Sequence, residues 1–169
     1  MTLATTTYPA PWGTSLKVIS ATTSLFLLGV ALFGLFTGPK GNGSWMISMV
    51  ILPLSILLIT ALFTIRGYVL TPDTLLVKRL AWNTQVPLQG LTAVEADSDA
   101  MKRSIRTMGN GGLFSISGLF RNQRLGSYRA LATDLRRCVI LKFDHKVIVI
   151  TPEKPQAFVK QLKRMQGIA

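Results

Sequence analysis

The chain has 169 residues, 49% of them hydrophobic, and its 19 Lys and Arg against seven Asp and Glu give a net charge of +12. The single cysteine, Cys138, excludes an internal disulfide and any metal site built from several cysteines. Only Lys17 and Lys40 precede Arg66, and every acidic residue follows it, which predicts an uncharged N-terminal part and one basic domain of about 100 residues.

Two long uncharged runs dominate the N-terminal part. They are Val18–Phe36 and Trp45–Ile65, and each reaches the roughly 20 apolar residues that a helix needs to cross a bilayer. We therefore predict a two-helix transmembrane hairpin over residues 16–66, preceded by a flexible N-terminal tail over residues 1–15. A secretory signal fits less well, because the first run is long, lacks a cleavage pattern and is followed at once by a second run.

Lysine and arginine near the ends of the spans predict the orientation. The loop between the spans offers only Lys40, whereas Arg66, Lys78 and Arg79 follow the second span. By the positive-inside rule, both the N-terminus and the C-terminal domain lie in the cytoplasm, and the protein is a multi-pass protein of the inner membrane. Pro53 is expected to kink the second helix, since its ring removes a helical hydrogen bond.

From Gly67 onwards, apolar residues alternate with polar ones, which predicts short antiparallel strands. The Pro-Asp pair in Thr71–Thr74 indicates a tight turn between the first two strands. About seven strands are expected, drawn from residues 68–70, 75–80, 82–87, 91–96, 113–120, 126–133, 138–143 and 146–151. Between them, residues 97–107 are interpreted as a long polar loop or a short helical turn, and Gly109–Gly112 as a bend that needs positive φ rather than a phosphate-binding loop.

The chain ends in a predicted helix. Phe158, Leu162 and Met165 recur at helical spacing and form an apolar stripe that must be buried, and Gly167 marks the end of the helix. The expected fold class is α+β, mostly β: a transmembrane helical hairpin, then an antiparallel β-barrel or sandwich over residues 67–169 that the C-terminal helix caps.

Several short segments resemble the bacterial pleckstrin-homology-like (PH) domain family in its membrane-anchored form. They are Gly67–Leu75, Val86–Leu88, Gly109–Phe114, Gly118–Phe120, Leu125–Tyr128 and Ile150–Pro152. The resemblance implies two bent antiparallel sheets capped by a helix, and a role in binding rather than catalysis. Phosphoinositide-binding members of the wider fold carry a long basic loop where this chain has the short Thr71–Thr74, so phosphoinositide binding is not transferred.

No residue pattern predicts a catalytic centre, a metal site or a cofactor. His145 is the only histidine, and it lies beside Asp144 and Lys146 in a predicted hairpin tip without a recognisable nucleophile. Asp97 and Asp99 lie close to basic residues in a polar loop, where local charge balance accounts for them. We therefore expect a protein that is not an enzyme.

Basic residues are the remaining candidates for a binding site. They form three clusters in the sequence: Lys102, Arg103 and Arg106; Arg121, Arg124 and Arg129; Arg136 and Arg137. Each Lys or Arg near an anionic leaflet contributes on the order of 1 kcal/mol to membrane binding. The alternative is that these residues are only solvated, and both interpretations stay open. Because stacking aromatic residues do not interleave with them, we expect no nucleic-acid partner.

The leading hypothesis is a non-enzymatic interaction module anchored at the inner face of the cytoplasmic membrane. It would dock a protein partner or self-assemble with its own copies. The alternative is recognition of anionic lipid headgroups by the basic loops of the PH-like domain. A transporter is not expected, because two uncharged spans would need extensive oligomerisation to line a pore.

Overall fold

The structure of the protein is a computed structural model that describes residues 5–39 and 41–168. Two apolar helices lie near the N-terminus and are followed by two β-sheets and a C-terminal helix. Within the described residues, the strands are β1 (Thr6–Pro9), β2 (Ile65–Leu70), β3 (Thr74–Arg79), β4 (Asn83–Pro87), β5 (Leu91–Ala96), β6 (Ile105–Gly111), β7 (Ile116–Asn122), β8 (Gly126–Ala132), β9 (Val139–Phe143) and β10 (Val147–Ile150).

Both predicted apolar helices are present. The first, α1, covers Thr14–Thr37, and the second runs over Gly43–Leu62; both are long and apolar enough to cross a membrane. The second consists of α2 (Gly43–Met46), a π-helical turn (Ile47–Ile51) and α3 (Leu52–Leu62). In the π-helical turn, the Leu52 amide donates to the Ile47 carbonyl, five residues back. The irregularity thus lies directly before Pro53, where a kink was expected.

The two apolar helices pack against each other along a narrow seam. The Trp45 indole Nε1 donates to the Gly34 carbonyl at 3.0 Å, and Ala31, Val50 and Pro53 are buried. Most other apolar side chains on these helices are exposed, including Leu25, Phe26, Leu32, Phe33, Phe36, Leu58 and Ile59. Lys40, on which the predicted membrane orientation partly depends, lies outside the described residues.

The two sheets pack face to face as an open sandwich. The strand orders are β1-β2-β3-β4 and β5-β9-β10-β8-β7-β6, and every pairing is antiparallel except that of β8 with β10. The sheets do not close, so the barrel alternative is wrong. The expected number of strands is too low, because β6 falls partly in the predicted loop and β1 in the predicted tail.

The six-stranded sheet buries both of its faces. Its inner face packs on the four-stranded sheet through side chains such as Leu131, Leu141 and Ile150. Its outer face is covered by Leu16 of α1 and by the segment between β5 and β6. Alternate residues of one strand therefore enter two separate apolar clusters, and β10, whose sequence is Val-Ile-Val-Ile, is a continuous apolar run for this reason.

The N-terminal segment differs from the expected flexible tail. Residues 1–4 lie outside the described residues, but Thr6–Pro9 form β1, which pairs with β2 along its whole length. Tyr8 and Ala10 are buried in the inner cluster, and the Tyr8 ring meets the Phe158 ring edge to face at a centroid distance of 5.0 Å. This short strand was missed because a Thr-rich, uncharged segment has little apolar periodicity of its own.

The C-terminal helix α4 covers Pro155–Gln166 and confirms the predicted stripe. Phe158 and Leu162 are fully buried and Met165 packs against the inner cluster. Pro155 occupies the first turn, where its missing N–H leaves no bond unmade. Gly167 ends the helix in the left-handed conformation at φ 66°.

The Gly109–Gly112 segment has the predicted positive φ but not the predicted place in the fold. Gly109 has φ +99° and Gly112 has φ +148°. Gly109 to Gly111 are the last residues of β6, and the following strand, β7, starts at Ile116 rather than Leu113. At Gly109 an added Cβ would lie 2.4 Å from the Ser117 carbonyl oxygen, so only glycine allows this approach of the two strands.

A buried polar network joins the N-terminal segment to both sheets. The Tyr68 hydroxyl donates to the Leu131 carbonyl at 2.7 Å and accepts from the Thr151 amide at 3.1 Å. The Thr151 hydroxyl accepts from the Thr133 amide, and the Thr133 hydroxyl donates to the Pro11 carbonyl at 2.9 Å. Burial raises the pKa of Tyr68 to about 12, so its hydroxyl stays neutral well above neutral pH.

Tyr68→Phe is expected to lower the free energy of unfolding by about 1–3 kcal/mol, because the buried Thr151 amide and Leu131 carbonyl both lose their bond to the Tyr68 hydroxyl. Thermal unfolding of the full chain in detergent, followed by near-ultraviolet circular dichroism, measures the loss. In the control Tyr128→Phe, the removed hydroxyl donates only to the Ser104 side chain, and a smaller loss is expected. Equal losses would contradict a central role for the network.

A chain that begins at residue 66 is expected to be unstable. It lacks β1 and leaves the Phe158 ring without Tyr8, a loss comparable to the roughly 3–5 kcal/mol cost of deleting one buried aromatic side chain. Joining residues 5–13 to residue 65 through a flexible glycine-serine linker restores the strand and is expected to restore cooperative unfolding. Equal stability of the two proteins would show that β1 is dispensable.

Candidate functional site

Four of the eight predicted basic residues meet in one groove. Lys102, Arg103, Arg121 and Arg124 line an open groove of about 950 Å³ between the β5–β6 segment and the β7–β8 turn. Two of them are neutralised locally: Lys102 Nζ lies 3.7 Å from Asp99 Oδ2, and Arg124 pairs with Asp97. Among the residues that the structure describes, Arg103 and Arg121 form no ion pair with an acid.

Side-chain hydrogen bonds bring the first and second sequence clusters together. Asn122, at the end of β7, donates to the Ala100 carbonyl and to the Ser104 hydroxyl, both at 2.9 Å. The Tyr128 hydroxyl of β8 donates to the same Ser104 at 2.6 Å. Arg103 lies in the turn between these anchors with φ 54°, an uncommon conformation for a residue with a side chain. Hydrogen bonds from β7 and β8 therefore fix the turn that forms one side of the groove.

The groove lies at the end of the six-stranded sheet that is remote from the apolar helices. The helices meet the opposite end, where Ser20 of α1 donates to the Gly112 carbonyl at 3.1 Å and accepts from the Phe114 amide at 2.9 Å. From Gly111 back to Ile105, β6 covers about 20 Å at roughly 3.4 Å per residue. This length exceeds the screening length of about 8 Å at physiological ionic strength.

The other four predicted residues lie elsewhere. Arg106 is exposed on β6, and its Nη1 lies beside Gly111, towards the helices. Arg129 is exposed on the inner face of β8 and lines a cavity below α3. Arg136 and Arg137 both pair with the buried Asp134, at 3.5 and 3.3 Å. One carboxylate thus offsets half of the positive charge of the third sequence cluster.

Asp134 ties this third cluster to the start of α1. Gly13, the residue before α1, donates its amide to the Thr133 carbonyl at 2.9 Å. A Cβ at Gly13 would lie 2.7 Å from Asp134 Oδ1, so this close contact requires glycine. A carboxylate beside a helix N-terminus is favourable because it faces the positive end of the helix dipole. Arg136 and Arg137 therefore have a structural role in holding the β8–β9 turn against α1.

Arg79 is a buried cation, although its sequence position suggests only a contribution to the membrane orientation of the chain. It is 7% exposed; its Nε donates to Thr84 Oγ1 at 3.0 Å, and its Nη1 to the Phe63 carbonyl at 2.8 Å. The guanidinium also lies 5.9 Å from the centroid of the Trp82 ring, within cation–π range. Burial, followed by the positive charge of Arg129, lowers the pKa of Arg79. The alternation of Leu75, Val77 and Arg79 on one face of β3 could have revealed this inward position.

His145 and Cys138 are positioned as the sequence indicates. His145 is exposed at the turn between β9 and β10. Cys138 is buried, and its pKa is raised to about 12 by burial, with smaller contributions from Asp97 and Asp134. A thiol held neutral in this way is a poor nucleophile.

The family of the chain follows from its C-terminal two thirds. The family profile described as Bacterial PH domain matches residues 66–166, more than half of the chain. The chain belongs to the bacterial PH domain family. The match starts at β2, so the PH domain of this protein is completed by a strand, β1, from before the apolar helices. No curated protein and no solved structure matches the chain significantly.

Membership in the PH domain family agrees with a role in binding. PH domains are generally non-catalytic modules that bind lipids or proteins. In this PH domain, the turn between the first two matched strands is short: the Thr71 amide donates to the Thr74 carbonyl at 3.0 Å, and the Thr71 hydroxyl to the same oxygen at 2.7 Å. The basic side chains that could bind a ligand lie outside this turn, in the groove and below α3.

The Cys138 thiol is expected to resist modification in the folded protein. Because its pKa is raised above that of an unfolded cysteine, the thiol stays protonated at pH 8 to 9 and ionises only as the pH approaches about 12. Reaction with a disulfide reagent at pH 8 should be slow for the native chain and complete within minutes after unfolding in denaturant. Equal rates would contradict the burial of the thiol.

Proposed function

We propose that this protein is a membrane-anchored, non-enzymatic PH domain that docks an acidic segment of a protein partner at the inner face of the cytoplasmic membrane. The observation that carries the proposal is the basic groove lined by Lys102, Arg103, Arg121 and Arg124. It faces away from the helices, so a partner can reach it while the domain stays tethered. A PH domain used for docking agrees with the family.

Charge favours an acidic partner over a second copy of the chain. The protein carries a net charge of +12, so two copies repel each other at long range. Of its seven acidic residues, Glu95, Asp97, Asp99 and Asp134 already pair with internal cations. An acidic segment of another protein carries the negative charge that complements the groove, and this attraction accelerates association.

The geometry favours protein over lipid as the ligand of the groove. The groove lies about 20 Å of strand length from the junction with the helices, beyond the roughly 8 Å range of an unscreened charge at physiological salt. A protein segment can extend to this distance, whereas the headgroups of a bilayer crossed by the helices cannot. Recognition of lipid by these four residues is therefore the less favoured alternative.

Support for the anchor comes from how little of the two apolar helices is covered. In the most apolar 18-residue stretch of each helix, only 17% (first helix) and 11% (second helix) of the residues are buried, whereas the core helix of a soluble protein would be mostly buried. A cleaved signal sequence fits poorly, since cleavage would remove β1 and Leu16 from the apolar clusters. An exposed apolar surface of this extent needs lipid or another protein to cover it.

Photo-cross-linking in intact membranes tests the docking groove. A photoreactive residue at position 103 is expected to give a discrete protein adduct that position 164, on the exposed face of α4, does not give. Adding Arg121→Glu to the protein that carries the photoreactive residue at position 103 should weaken the adduct roughly tenfold or more, because a favourable contact becomes repulsive. Arg164→Glu reverses a matched surface charge outside the groove and should leave the adduct unchanged.

Three outcomes would contradict the proposal. One is an adduct that forms equally from both positions, and another is an adduct of position 103 with lipid or with a second copy alone. The third is release of the intact chain by alkaline carbonate washing, which would show that the helices do not anchor the chain in the membrane.

A further inference from the structure

Two arginines face one cavity where the second apolar helix meets the sheets. The cavity has a volume of about 290 Å³, and its wall includes Arg79 of β3 and Arg129 of β8. Ile59 and Phe63, from the last turn of α3 and its cap, form the opposite wall. Arg129 also lines a second cavity of about 380 Å³ between β4 and β8, so the space below the helix continues along the gap between the sheets.

Neither arginine is neutralised by the protein. Across residues 5–39 and 41–168, no Asp or Glu pairs with Arg79 or Arg129. Among the residues with described positions, no acid lines either cavity. Removing a cation from water is costly unless an anion lies close to it. Arg79 is buried, and the exposed Arg129 adds a second positive charge, so an anionic group beside them is electrostatically favoured.

The hydrogen-bonding capacity of Arg79 is only partly used. Its Nε and Nη1 donate to Thr84, Phe63 and Ser117, whereas its Nη2 has no acceptor among the described residues. Arg129 is exposed and makes no side-chain hydrogen bond to the described part of the chain. Fork-shaped guanidinium groups bind phosphate oxygens in pairs, which gives strong, directed bonds.

The position of the cavity matches the level of phospholipid phosphates. Gly43–Leu62 spans about 30 Å at 1.5 Å per residue, the thickness of the hydrocarbon core. Its cap, Phe63, packs edge to face on Trp82 at 4.8 Å, and aromatic side chains are enriched at this level of a bilayer. In a bilayer crossed by this helix, the phosphates of the adjoining leaflet lie beside Arg79.

An apolar stripe leads from the cavity along the helix. Leu52, Ile56, Ile59 and Phe63 recur at helical spacing and are all exposed. The combined surface is amphiphilic, with two cations at the end of an apolar track. Its chemistry is complementary to a molecule with an anionic phosphate and long alkyl chains.

We propose that Arg79 and Arg129 bind the phosphate of an anionic glycerophospholipid whose acyl chain lies along Leu52, Ile56 and Ile59. The inference rests on the proposed function, because it needs the helices in a bilayer. In this arrangement the cavity below α3 binds lipid, and the basic groove at the remote end of the sheet binds the protein partner. A lipid without its own ammonium group is preferred, since a third cation would be repelled by the two guanidinium groups.

Native mass spectrometry of the full chain, extracted from bilayers of equal phosphatidylglycerol and phosphatidylcholine, tests the site. The wild-type chain is expected to retain phosphatidylglycerol in preference to phosphatidylcholine. Arg129→Gln, an exposed change that should preserve the fold, is expected to lower this preference about fivefold, the effect of one arginine near an anionic lipid. Arg164→Gln, a matched change on α4, should leave it unchanged. Equal preference in wild type and Arg129→Gln would overturn the inference.

A second measurement separates a lipid from a free anion. Short-chain phosphatidylglycerol is expected to raise the Tm of the delipidated wild-type chain in detergent, and inorganic phosphate at the same concentration is not. An equal rise with phosphate would assign the site to free phosphate and overturn the lipid assignment. Release of the chain from membranes by alkaline carbonate would instead contradict the proposed membrane anchor. Failure of the lipid site and failure of the proposed function therefore give different results.

Discussion

The whole fold is organised by one strand pairing, that of β1 with β2. Thr6–Pro9 precede the apolar helices and β2 follows them, yet the two strands lie side by side in one sheet. Both ends of the helical hairpin are consequently held by a single folded domain. The hairpin continues directly from that domain, because Gly13 bonds to Thr133 and Ser20 of α1 bonds to the turn after β6.

This constraint divides the basic surface into two regions with different chemistry. Near the helices, Arg79 and Arg129 lie between the sheets and have no acidic partner among the described residues, while the neighbouring Arg136 and Arg137 are held by Asp134. At the remote end, Asn122 and Tyr128 hold the β5–β6 segment against β7 and β8, which exposes the groove. The proposed lipid site at the junction and the proposed protein site at the remote end are compatible because about 20 Å of strand separates them.

The candidate site was only partly predictable. The sequence places Lys102 and Arg103 some 20 positions from Arg121 and Arg124, and no local pattern indicates that they share one groove. Their meeting depends on a loop that folds back over the sheet and is held by side-chain hydrogen bonds. Arg79 could have been suspected from its alternation with Leu75 and Val77, but the aromatic and carbonyl groups around it come from α3 and the β3–β4 turn.

The two apolar helices, most strands of the sandwich and the C-terminal helix are predictable from the sequence alone. They depend on hydrophobic periodicity, turn residues and helix-end signals within short segments. The short motifs of the sequence also indicated the bacterial PH domain family. The three-dimensional structure was needed to show that Thr6–Pro9 complete the first sheet, that the sandwich stays open and that basic residues from separate clusters share a groove. Each of these rests on pairings between distant segments, which no local pattern of residues encodes.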